Sequence, residues 1–444
     1  MSISAEKIAV ALVSPQWPAG ASANGIATYT ENLVPWLVRE GIEAFVMSRH
    51  VHEKCQDPFV ERLAVADASQ PWIRRPISAL MMRMTPQLWA KRRASRSILD
   101  GLASLRLRAD LKLLEMEEAQ GFAPFVAAQA AIPVVVRMHG PWFLVGPLVG
   151  AANDRKFASR NRAERLALAG AAAVSAPSRD VLNRARSFFG LELKNAVVIP
   201  NPCPLYEEGE QWNLERSAGG DILFVGRFDR CKGADVMIDA FAQVGKEFPE
   251  SRLVFVGPDN GLTDDAGRKW QIDAYAAERL KEDGLLGRMQ WLGRRTATEI
   301  QDLRRRARVT VVCSRYENFP MVALEAMSMG CPLVASSIGG LTEMIQDGKN
   351  GLLCRVGDSD DLAKNVEMIL KDPLLAQRLG GQAAIDCQQR YHPAVVARQT
   401  AQFYREVIAR WEREHRGNRR LKGAEGNRWC SPDATVAGFN QGKH

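Results

Sequence analysis

Residues 309–337 read V-T-V-V-C-S-R-Y-E-N-F-P-M-V-A-L-E-A-M-S-M-G-C-P-L-V-A-S-S. Two short apolar runs, 309–314 and 331–337, bracket a stretch with helical spacing that opens near Pro320. A run apolar on both faces is a strand covered on both faces, the habit of parallel sheets with helices on either side. Proline suits a helix's first turn, where its missing N–H would have had no partner. Strand, loop, helix and strand therefore follow one another, as in one unit of a doubly wound α/β sheet. Glu317 falls in the loop and Glu325 on the helix behind it, in an E-x7-E spacing.

The pattern recurs outward in both directions. Apolar runs at 7–13, 44–47, 111–116, 133–138, 171–176 and 196–200 form one set. Runs at 221–226, 252–257 and 289–293 join 309–314, 331–337 and 351–354 in a second. Two sets predict two doubly wound, Rossmann-like α/β domains facing a cleft. The break follows N-P-C-P (201–204), where a polar stretch with Gly209, Gly219 and Gly220 reads as a linker. The expected organisation is a first domain over 1–205, a second over 206–392, and a helix over 393–412 bracing both. From 413 to 444 the chain is rich in Gly, Asn and Arg with little periodicity, and a disordered tail is expected.

Bulk properties narrow the classes. A chain of 444 residues exceeds what one core usually serves. No apolar run reaches the ~18–20 residues of a membrane span, and no secretory signal opens the chain. The eight cysteines show no C-x-x-C spacing and read as small buried residues in a reducing compartment, so a cytoplasmic protein is expected. The net charge of +8 favours an anionic partner. Segment 72–97 carries seven basic residues and no acidic one, interleaved with Trp, Met and Leu. It reads either as a solvated basic helix pair or as a surface for an anionic membrane. Nucleic acid is not expected as a partner.

Four constellations can carry chemistry. Free N–H groups at the helix start near Pro320 favour a phosphate, and the Glu325 carboxylate can accept two hydroxyls of a ribose diol. G-R-F-D-R-C-K-G (226–233) follows a strand, so Arg227 and Lys232 emerge at the sheet edge where ligands of such sheets bind. A guanidinium fork and an ammonium together can neutralise a diphosphate. His139 ends the strand of R-M-H-G-P (137–141) in the first domain and can face the cleft from the other side. Gly20 and Gly25 relax the first loop, 14–29. No G-x-G-x-x-G stands at the first turn of either sheet, which argues against a dinucleotide oxidoreductase. D-S-D at 358–360 precedes a helical run and reads as a helix cap, and no zinc cluster or Walker loop is present.

Taken together, V-G-R-F-D-R-C-K-G, S-R-Y-E-N-F-P-M-V-A-L-E-A-M-S-M-G-C-P-L-V-A, I-G-G-L-T-E-M and D-G-K-N-G-L-L resemble the retaining glycosyltransferases of family four. The likeness runs from about residue 6 to 411, most strongly over 221–257 and 289–354. It implies the GT-B architecture, with a nucleotide sugar clamped between two domains. By that resemblance Arg227 and Lys232 hold the diphosphate, and Glu325 holds the ribose. Glu317 sits near the donor sugar's hydroxyls, while Asn318, Phe319 and Pro320 line sugar and phosphate. His139 contacts the donor sugar from the first domain, and Gly25 matches the second glycine of the family's first-loop pair. Asn24 and Asn318 stand where glycines are usual, and the Arg-to-Lys spacing is one residue short.

The resemblance implies transfer of a sugar from a nucleoside diphosphate, UDP or GDP foremost, to a glycan or lipid-linked acceptor hydroxyl with retention. No metal or cofactor is required. A surface-glycan or exopolysaccharide role at the inner membrane face would fit segment 72–97. A nucleotide-sugar epimerase and a non-catalytic nucleotide-sugar-binding partner are the alternatives of the same architecture.

Overall fold

Branched and apolar side chains on both faces of each run leave it only one stable place, between two layers of helix. In the computed structural model, which describes residues 7–19, 24–64, 86–151 and 153–426, every such run is a strand. The first sheet holds β1 (Ile8–Trp17), β2 (Ile42–Val51), β3 (Val60–Arg62), β4 (Leu111–Glu117), β5 (Val134–Arg137), β6 (Ala173–Ala176) and β7 (Ala196–Val198), in the order β3-β2-β1-β4-β5-β6-β7. The second holds β8 (Asp221–Val225), β9 (Leu253–Val256), β12 (Met289–Trp291), β13 (Ala307–Val312), β14 (Leu333–Ser336) and β15 (Leu352–Cys354), in the order β12-β9-β8-β13-β14-β15. The short β10 (Leu262–Thr263) and β11 (Lys269–Trp270) pair antiparallel outside both sheets.

All pairs within the two large sheets are parallel. Chain order reverses direction between β1 and β4 in the first sheet and between β8 and β13 in the second. Loops leaving neighbouring strands at such a point diverge to opposite faces and open a crevice at the carboxyl edge. The loops after β8 and β13 are the ones that carry Arg227 with Lys232 and Glu317.

Each sheet has its own core. Phe224, Phe255, Val309, Val311, Leu324 and Leu333 are among the buried residues of the second. Met47, Leu114, Val134, Val136 and Leu182 lie in one layer of the first. The other layer of the first, around Val10, Leu12 and Leu33, is closed by Val396, Ala401, Tyr404 and Val407 of the helix Pro393–Gly426. Tyr404 and Tyr29 both donate to the buried Glu115, at 2.9 and 3.0 Å. The final helix thus leaves the second sheet and seats on the first domain.

That helix runs past 412, where the sequence pattern suggested a stop. Arg, Glu, Leu, Lys and Ala are good helix formers and outweigh the scattered Gly and Asn as far as Gly426. Residues 427–444 of the expected tail lie outside the described residues. So do 72–85 of the basic segment, whose remainder falls in the helix Pro86–Arg106. Among the described residues no helix is long and apolar enough to cross a membrane. Six of the seven described cysteines are buried, and all seven are free.

Candidate active site

The segment after β8 turns back on itself around Asp229. One carboxylate oxygen pairs with Arg227 Nε at 2.6 Å, and the other accepts the Lys232 backbone N–H at 2.8 Å. Gly233 follows at φ +71°, where a Cβ would run into the Cys313 carbonyl. Only glycine gives both that conformation and that approach. The turn therefore lies flat against the end of β13. Arg315 fastens it there with a bidentate pair to Asp235, at 2.7 Å twice, and a 2.8 Å bond to the Arg230 carbonyl.

This approach brings together residues far apart in the chain. Lys232 Nζ meets Glu317 Oε1 at 2.6 Å, and Ser314 Oγ donates to the same oxygen at 2.7 Å. Burial pulls the Lys232 proton affinity down, but the Glu317 carboxylate outweighs it and holds the ammonium above its usual range. Lys232 and Glu317 side chains remain 25% and 11% exposed, so the pair is at the cleft wall and not sealed inside.

Pro320 occupies the cap position of the helix Met321–Ser328 and supplies no side-chain bond to it. The first N–H groups of that helix have no partner within it, which leaves them for a ligand or water. Asn318 and Glu317 are held from behind by the glycine pair 339–340. The Gly340 N–H donates to the Glu317 carbonyl at 2.9 Å, and a Cβ on Gly340 would collide with the Asn318 carbonyl. One expectation is corrected here. The Phe319 ring does not line a sugar site, because it is 5% exposed and packs edge-on against Tyr391 in the core. A ring of that size gains more from burial than from the cleft.

Glu325 lies one turn inside the helix. Its Oε2 is taken by Arg304 Nη2 at 2.8 Å, from the helix Ala297–Arg306. Gly25 opens the helix Gly25–Arg39, and its nearest neighbour across the cleft would be Met321. Asn24, which stands where glycine is usual in the family it resembles, has work of its own: its Oδ1 caps that helix through the Ile26 N–H at 3.0 Å. The D-S-D segment is a cap, as expected, with Asp358 accepting the Asp361 N–H at 2.9 Å.

His139 stands at the end of β5, edge-on to Tyr29 at 5.2 Å. Burial, with Arg137 nearby, holds its imidazole well below the usual histidine range, so the ring is neutral near pH 7. Its backbone is gripped on both sides. Glu118 accepts the His139 and Gly140 N–H groups at 2.9 and 2.7 Å, and the His139 carbonyl accepts Asn318 Nδ2 at 2.5 Å.

That last bond crosses from one domain to the other, and it has company. Tyr316 donates to Asp180 Oδ2 at 3.0 Å, and Asn201 Nδ2 donates to the Phe319 carbonyl at 3.0 Å. Glu343 accepts the Arg179 and Asp180 N–H groups at 3.0 and 2.8 Å, a carboxylate of one domain set on a helix N-terminus of the other.

Beneath the His139 loop lies a group of carboxylates. Glu164 accepts the Trp142 N–H at 2.8 Å, and Arg160 stacks on the Trp142 ring at 3.7 Å. Burial, then the neighbouring Glu118, pushes Glu164 up to about 8 and Glu117 up to about 7. A carboxyl that binds its proton more tightly folded than unfolded contributes its full stability below the ordinary carboxylate range. That contribution is lost as pH rises through the folded value. Melting temperature is therefore expected to fall between about pH 5 and 8, and Glu164→Gln should flatten part of the slope in a melting series. An unchanged slope would mean that the Glu164 carboxyl does not titrate there.

Asp229, Glu118, Arg304 and the grip of Glu343 were not assigned from sequence. Asp229 carried a signal, standing between Arg227 and Lys232. Arg304 carried none, since R-R-R at 304–306 looks like any solvated helix end.

Two family descriptions match the chain in tandem. "Glycosyl transferase 4-like domain" matches residues 24–202, and "Glycosyl transferases group 1" matches 210–385. Together they take in about four-fifths of its length. The chain belongs to these glycosyltransferases. A glycogen synthase of Mycobacterium tuberculosis is 34% identical over 216 residues, 49% of this chain and 50% of that protein. The chain thus spans about half the length of the curated relatives it first matches. Sucrose-phosphate synthase of Thermosynechococcus elongatus superposes with a TM-score of 0.65 at 23% identity, over 90% of this chain and 99% of that one. HepE of Anabaena, solved with UDP-glucose, gives 0.61 at 18% identity, over 89% and 98%. At those identities the likeness is one of fold, two Rossmann-like domains in the GT-B arrangement.

Proposed function

We propose that this glycosyltransferase moves a sugar from a nucleoside-diphosphate sugar to an acceptor hydroxyl, with retention at the anomeric carbon. The observation that carries the reading is the meeting of Lys232 and Glu317, 85 residues apart, at the switch point of the second sheet. A cation and a carboxylate held in contact beside an uncapped helix start suit the boundary between a phosphate and a sugar. In this reading Arg227, Lys232 and the first N–H groups of Met321–Ser328 take the diphosphate. Glu325 takes the ribose, and Glu317 and Asn318 take the sugar. His139 and Gly25 close the site from the first domain.

Negative charge grows on the leaving diphosphate as the glycosidic bond breaks, and fixed cations lower the energy of that state most. The acceptor oxygen then attacks from the face the phosphate leaves, and a phosphate oxygen takes its proton. Trapping a glycosyl-enzyme at Glu317 would replace this route by a covalent one. UDP and UDP-glucose in HepE support a nucleotide-sugar donor, with UDP first and GDP second. The glycogen synthase relative supports a saccharide acceptor, which we place in surface glycan, exopolysaccharide or lipid-linked saccharide synthesis. Segment 72–97 would then hold the enzyme at the cytoplasmic face of an anionic membrane.

The test is a melting screen with UDP, GDP and ADP, followed by incubation with the matching sugar nucleotides. Binding at a hundredfold excess over Kd should stabilise the protein by about 2.7 kcal/mol. Slow release of free sugar from one donor is the expected second result. No stabilisation by any nucleotide, or a new sugar nucleotide in place of free sugar, would overturn the reading.

A further inference from the structure

Glu325 is half engaged before any ligand arrives. Its partner, Arg304, is in the last turn of a helix whose start is fixed by a reciprocal cap between Thr296 and Glu299. The Arg304 side chain is 1% exposed, so water cannot satisfy its charge. Burial pulls the proton affinity of the guanidinium down, yet Glu325 and then Tyr206 more than restore it and keep it charged. Among the described residues its Nε finds no acceptor, and the Glu325 carboxylate is its one ion-pair partner. Glu325 itself is 24% exposed, with Oε2 turned to Arg304.

We propose that Arg304 is a positioning residue for the donor, holding Oε2 of Glu325 so that Oε1 alone meets the vicinal hydroxyls of the ribose. The proposal rests on the reading of Glu325 as ribose anchor. A glutamate free on a helix surface loses rotamer freedom when it binds, whereas this one has already lost it in folding. One carboxylate oxygen has the two lone pairs that a cis diol needs. Arg304 is 1% exposed and pairs with the Glu325 carboxylate, so in this proposal its effect on the donor passes through Glu325. The site should therefore select ribonucleotides over nucleotides lacking those hydroxyls.

The experiment is calorimetric titration of the full chain with the best-binding nucleoside diphosphate, UDP first, and with its 2′,3′-dideoxy counterpart. The wild type should prefer the ribo form by about tenfold or more, as expected for hydrogen bonds to a charged group. Arg304→Gln should weaken the ribo form about tenfold and leave the dideoxy form within about twofold, so the preference collapses. Arg304→Lys should recover part of it, since an ammonium reaches the carboxylate without the guanidinium's planar fork. A preference that survives in Arg304→Gln, or an equal loss for both nucleotides, would overturn the proposal while leaving the ribose anchor intact. No preference in the wild type would remove the anchor reading itself. Should Arg304→Gln not fold, Arg304→Lys decides: its preference must lie below the wild type's.

Discussion

Lys232→Ala is expected to lower the rate of sugar transfer about a hundredfold while leaving the protein folded. An aimed charge at a developing oxyanion contributes about 3 kcal/mol, which is near a hundredfold in rate. Lys232 is well placed for that task because it is held twice, by Glu317 through its ammonium and by Asp229 through its backbone. Removing the ammonium leaves Glu317 with the Ser314 hydroxyl, and Glu317 keeps some access to water, so unfolding should cost little. The check is kcat for transfer, or for donor hydrolysis, beside a melting curve. Ordinary activity in Lys232→Ala would mean that the diphosphate is not held here.

Glu325→Ala is expected to destabilise the fold by about 3 kcal/mol, apart from any effect on the donor. Removing one member of a buried pair strands the other, at a cost of about 3–5 kcal/mol. The lower figure is taken because Glu325 is partly exposed, whereas Arg304 is not. Replacing both partners with apolar residues should recover most of the loss, since a buried pair often breaks even against a hydrophobic isostere. Urea unfolding of Glu325→Ala, Arg304→Met and the double variant measures the coupling directly. A Glu325→Ala protein with the wild-type midpoint would mean that Arg304 does not depend on the carboxylate. Until that is separated, lost nucleotide affinity in Glu325→Ala cannot be assigned to the ribose alone, and Glu325→Gln is the better binding probe.

Both sheets were legible because every large-sheet strand but one is an apolar run between helical patterns. The exception, Val60–Arg62, is too short and too polar to announce itself, and the Leu262–Trp270 ribbon has two residues a side. β1 also runs farther than its apolar letters, through Ser14, Pro15 and Gln16 to Trp17. Beyond Leu12 it no longer pairs with β4, so the N–H that Pro15 lacks is not missed at that edge. Within the site, the residues at strand ends could be found because topology sends them to one rim. The contact between Lys232 and Glu317 could not, because it depends on how closely Gly233 lets two loops approach. Buried charges such as Arg304 and Glu118 are the hardest to read. Their letters are those of the surface, and only the packed fold shows that water has been excluded.

Several of the bonds that cross between the domains come from one short part of the second domain: Tyr316, Asn318, the Phe319 carbonyl and Glu343. Three of these flank Glu317 on the loop assigned to the donor, and Glu343 follows the glycines that pack on that loop. In the proposed reading, domain contact and donor binding share one loop, and thermodynamic linkage makes their influence mutual. Whatever factor the donor adds to the grip between the halves, the grip returns to the donor's affinity. A substitution far from the sugar, at Glu343 or Asp180, would then retune substrate concentration dependence as surely as one in the pocket.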